Sequence, residues 1–156
     1  MVNNDIDITI DLNKKSITCQ GVGWSTAIEI SAGEIVIRNG NINSINSSSG
    51  ISYGIVNQAK LELQDVTITV ESDNKNAYGL WTEEEGETTI DGGEISATNG
   101  KFIVAGVRVS DSANIVIKDA IISAQGAGEV VYGIYIEEQG TLTLPLLLPY
   151  FGNGSK

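Results

Sequence analysis

Histidine is absent from this chain, cysteine occurs once and proline twice among 156 residues. The single thiol, Cys19, cannot close an internal disulfide. As a reactive thiol or metal ligand it would need partners that a chain without histidine does not show. Two prolines are too few for a polyproline linker. No run approaches the roughly 18 consecutive apolar residues of a membrane-spanning helix. Cations are scarce too: nine Lys and Arg stand against twenty Asp and Glu, a formal net charge of −11. That balance leaves little positive surface for phosphates, which speaks against nucleic acid and against anionic lipid. Its simplest consequence is solubility. No secretory leader is visible. The chain opens with DIDITIDL from Asp5, which alternates like a strand. The expectation is that export information has been removed, or that this is an interior piece of a longer chain.

What the chain does contain is hydrophobic residues at 41% and eighteen glycines. That suffices for one domain with a core, and the glycines are spaced rather than clustered. A small residue followed by an aliphatic one recurs at Ala27-Ile28, Gly54-Ile55, Gly79-Leu80, Gly106-Val107 and Gly133-Ile134. Tyrosine precedes the glycine at Tyr53, Tyr78 and Tyr132. A second marker is an aliphatic pair with four residues between: Leu12/Ile17, Ile37/Ile42, Leu63/Ile68, Ile90/Ile95 and Ile117/Ile122. Most of the intervening tetrads are rich in Asn, Asp or Gly, residues suited to tight bends. The two markers share a period of 25 to 27 residues, read directly from those positions.

Each period holds three short alternating runs, and no helical stripe persists beyond one turn. Three strands and three bends per repeat make one coil of a parallel β-helix, with coils stacked about 4.8 Å apart. The sequence therefore predicts an all-β, right-handed, single-stranded parallel β-helix of about five coils over residues 1–144. Residues 145–156 break the pattern. They are expected to be a cap over the last coil, a junction, or the product of a truncated reading frame.

Alternation assigns faces. The second run turns Ile10/Leu12, Ile35/Ile37, Leu61/Leu63, Thr88/Ile90, Ile115/Ile117 and Leu142/Leu144 inward, with Thr88 the exception in an aliphatic ladder. The first run turns Ile28, Ile55, Leu80, Val107 and Ile134 inward. The third run has small inward residues, Cys19, Ser44, Val70, Ala97 and Ala124, so Cys19 reads as core filler. Outside it shows Thr18, Asn43, Thr69, Ser96 and Ser123. That column is too irregular in threonine for an ice-ordering array, and β-propensity with solubility accounts for it.

The first run exposes Glu29, Val56, Trp81, Arg108 and Tyr135. Successive members lie one coil apart, so Arg108 is expected between Trp81 and Tyr135 in a cation–π sandwich. Trp81, Arg108 and Tyr135 form the candidate ligand-binding strip, for sugar rings or a protein partner. The competing and favoured reading is a ladder that only stabilises its own sheet. Glu83, Glu84, Glu85 and Glu87, with Glu137 and Glu138 two coils on, could supply oxygen ligands to calcium. No DxDxDG run accompanies them, and a solvated charge run is the preferred reading. No metal and no cofactor are expected.

The period, the Tyr-Gly-aliphatic steps and the aliphatic–bend–aliphatic spacing together resemble the passenger domains of autotransporter-type and related bacterial surface proteins. The matching stretches are Ala77 to Leu80 with Thr89 to Ala97, Ala105 to Val107 continuing through Ala124, and the opening ITIDLNKKSIT from Ile8 to Thr18. The resemblance spans residues 5–144 and stops at the passenger-like part. It implies an extracellular or cell-surface location and a structural or adhesive role, with a glycan or a host or matrix protein as partner. Such coils also carry polysaccharide lyases and hydrolases. Those need a basic residue beside calcium-binding acids, or a close trio of aspartates. Here the two arginines, Arg38 and Arg108, have no acidic partner visible at their level, and Asp65, Asp91 and Asp119 are explained as bend residues. The chain is expected not to be an enzyme. Open coil ends, with Ile6, Ile8 and Ile10 at the N-terminal face, are expected to favour end-to-end self-association.

Overall fold

In a computed structural model, residues 6–145 are described. The expectations for the tail fall almost wholly outside that range. Within it there is no helix, so none is long and apolar enough to cross a membrane. The strands are β1 (Asp7–Asp11), β2 (Ser16–Gly21), β3 (Ser25–Ile30), β4 (Glu34–Asn46), β5 (Ser52–Asn57), β6 (Lys60–Ser72) and β7 (Ala77–Thr82). They continue with β8 (Glu87–Asp91), β9 (Glu94–Thr98), β10 (Ile103–Val109), β11 (Asn114–Ile117), β12 (Ile121–Gln125), β13 (Val130–Ile136) and β14 (Thr141–Thr143). Every pairing is parallel and joins one coil to the next. The chain is a parallel β-solenoid of about five coils.

The strands form two sheets rather than three. One sheet runs β3-β5-β7-β10-β13; the other contains the remaining nine strands. The second and third runs fuse in coils two and three, where β4 and β6 are each 13 residues long. Asn39 and Asp65, at φ 58° and 50°, take the bend in the left-handed region. In the next coil Gly92 and Gly93 do so. Of the three aspartates read as bend residues, only Asp65 has that conformation; Asp91 instead pairs with Lys118 at 3.1 Å.

Most of the register is as read from the repeat: Ile28, Ile55, Leu80, Val107 and Ile134 stack, as do Ile17, Ile42, Ile68, Ile95 and Ile122. Coil one departs from it. Ile8 and Ile10, not Ile10 and Leu12, lie beside Ile35 and Ile37. The bend that follows is two residues longer, with Asn13 and Lys14 at positive φ, and Leu12 drops into the space over Gly40. There it is buried. Cys19 pairs with Ser44 in the small-residue column and is half-buried.

The interior is mainly aliphatic, with two polar clusters. Thr88, the odd member of its ladder, has its hydroxyl 2.8 Å from that of Thr82 and accepts from Asn57 Nδ2 at 2.9 Å. Asn57 Nδ2 also donates to the carbonyls of Ala59 and Glu87. Ser25, Ser44 and Ser52 form a second hydroxyl cluster at 2.9–3.2 Å. Among the described residues no buried side-chain polar atom lacks a partner, as burial requires.

Glycine governs one position within the five-stranded sheet. Gly54, Gly79 and Gly106 occupy one column, where an added Cβ would come within 2.3–2.8 Å of the carbonyl oxygen of the next glycine in the column. The strict inside–outside alternation slips there. The Cβ of Gly54 would point at Ile68 and Val70 in the core, and Ile55 is inward as well. Tyr53 and Val56, three residues apart, therefore both lie outside.

Candidate binding face

Outside the five-stranded sheet, the slip at glycine creates two adjacent columns. One holds Thr26, Tyr53, Tyr78, Ala105 and Tyr132; the other holds Glu29, Val56, Trp81, Arg108 and Tyr135. Tyr53, Val56, Tyr78 and Ala105, with Trp81 and Tyr135 packed against them, make an apolar cluster separate from the interior. Tyr53 stacks on Tyr78 and on Trp81, both at 5.4 Å between centroids. Trp24 leans on Tyr53 at 6.5 Å, and Tyr132 stacks on Tyr135 at 4.9 Å. Strict parity would turn Tyr53 and Tyr78 inward. The tyrosine before Gly54, Gly79 and Gly133 was the signal that could have placed them here.

Arg108 is next to both Trp81 and Tyr135 in register. Its guanidinium carbon lies over Trp81 at 4.2 Å and over Tyr78 at 5.2 Å. Ala105, standing where the neighbouring coils have tyrosine, leaves the room for it. The expected sandwich is thus one-sided: aromatic rings on the N-terminal side, and Glu137 on the other, with Nη2 to Oε1 at 2.7 Å. The expectation that Arg108 has no carboxylate neighbour is corrected by this contact. Arg38 is corrected too, since Asp11 sits opposite it and accepts from Nε at 3.0 Å. The Asn13 amide, above all, together with Asn39 and Arg38, holds the Asp11 carboxyl below its usual range.

The strip is largely turned in on itself. The Trp81 indole N–H donates to Ser110 Oγ at 2.8 Å, and Arg108 is committed to Glu137. Tyr78 is 2% exposed, whereas Trp24 at one end is 76% exposed and Tyr132 at the other 41%. Burial, with the neighbouring Tyr78 phenol, pushes the Tyr53 hydroxyl up to about 12, and burial raises Tyr78 as well.

The acidic bends occupy equivalent places two coils apart, with the Ser110 bend between them, and are shaped as turns. The amides of Gly86, Ala113 and Gly140 close on the carbonyls of Glu83, Ser110 and Glu137. Glu84 has φ 58°. Gln58 Nε2 donates to Glu83 and Glu84 at 3.0 and 3.3 Å. Among the described residues no three His, Cys, Asp or Glu side chains are grouped to hold a metal. On the opposite sheet, Glu34, Lys60, Glu62, Glu87 and Asn114 line a shallow groove. Its one cation, Lys60, is paired to Glu34 at 2.7 Å, a contact that raises the Lys60 ammonium above its ordinary value.

No protein-family model, curated protein or solved structure matches the chain.

Proposed function

We propose that this solenoid is a structural or adhesive segment of a secreted or cell-surface bacterial protein, of the kind found in autotransporter-like passengers, and not a catalyst. The observation that carries the reading is how its arginines are used. Arg38 is tied to Asp11, and Arg108 to Glu137 and two aromatic rings. These ties knit adjacent coils together and set each arginine against a carboxylate of the neighbouring coil. The acidic surface also disfavours polyanionic substrates such as pectate.

The purified chain tests this on a panel of glycans and matrix proteins, with new reducing ends counted on neutral and acidic polysaccharides. Retention on a glycan or a matrix protein, without new reducing ends, is the expected outcome. Dose-dependent release of reducing ends would sink the proposal. If the chain binds nothing, a purely structural role requires that deleting its coils from the displayed parent protein shorten its reach.

A second reading, carbohydrate binding along the aromatic columns, is favoured by the stacked pair of an exposed Tyr132 and a half-buried Tyr135. It requires that Tyr135→Ala lower glycan retention at unchanged stability. Association through the coil ends belongs to the main proposal. Ile8 is 43% exposed where Ile35, one coil on, is 8% exposed, and edge strands offer unpaired backbone groups. A sedimentation coefficient independent of concentration would refute that part.

A further inference from the structure

We draw no further inference here: the strongest candidate, the exposed apolar patch of Val22 and Trp24 at the corner leading into β3, carries nothing because no feature of the structure shows what covers it.

Discussion

Two glycines in the same column should respond in opposite ways to a single methyl group. At Gly79, an added Cβ would stand 2.4 Å from the carbonyl oxygen of Gly106 and 2.4 Å from Ile95 Cγ2. One of these obstacles is backbone of the next coil, held by the β7–β10 ladder, so it cannot swing aside. Overpacking of this kind costs about 1–3 kcal/mol. The backbone obstacle places Gly79→Ala at the upper end. Alanine also restricts the unfolded chain, which returns about 0.4–1 kcal/mol at a compatible backbone conformation. The net expectation is a loss of about 2 kcal/mol. At Gly133 the nearest atom to the added Cβ is the carbonyl oxygen of Ile122 at 3.7 Å, an ordinary contact. There only the entropic gain remains, and Gly133→Ala should be neutral or stabilising by about 0.5 kcal/mol. Urea unfolding followed by far-ultraviolet circular dichroism reads both variants, with the slope checked against the parent. Equal effects at the two sites, or a cost below about 1 kcal/mol at Gly79 by the same overpacking scale, would refute the steric account of the glycine column.

Thr88→Val keeps the shape of the ladder but removes the hydroxyl shared by Thr82 and Asn57; it should cost about 1–3 kcal/mol, and the double variant with Thr82→Val should recover part of that in a thermal melt. Arg108→Met should cost about 1–2 kcal/mol, from the lost ion pair and ring contact, and shift Trp81 fluorescence; an unchanged spectrum would show that the guanidinium does not sit on the indole. Tyr53, raised to about 12 in the fold from an ordinary value of 10, binds its proton more tightly when native. Its stabilising contribution is complete below pH 10 and is lost as pH rises from there towards 12; Tyr53→Phe should flatten that part of the stability–pH curve.

The repeat was legible because a small residue, glycine in four of five coils, and aliphatic ladders recur at one period, with a steric demand for glycine at Gly54, Gly79 and Gly106. The coil-one register was not. Leu12 lies five residues before Ile17, as Ile37 does before Ile42, and hydropathy alone cannot distinguish it from Ile10. That one slip also hid an ion pair, because aligning Leu12 with Ile37 sets Asp11 beside Val36 rather than Arg38. Glu137 was missed for a different reason. It lies in the bend after β13, 29 residues from Arg108 rather than one coil period, and a long side chain reaches it off register. The fused strands and the outward tyrosines depend on backbone conformations at Asn39, Asp65 and the glycines, which alternation cannot express.

The coils share a period, yet they are not interchangeable parts. Glu34, Lys60 and Glu87 follow one another up a single column, so excising the coil that contributes Lys60 would set Glu34 against Glu87. The same excision would take Thr82 from the hydroxyl of Thr88. Like charges placed side by side repel, and Asn57, the register neighbour of Thr82, would stand in its place beside Thr88. Expansion or contraction of this array by whole coils therefore has better and worse junctions, ranked in part by the charges that each brings together.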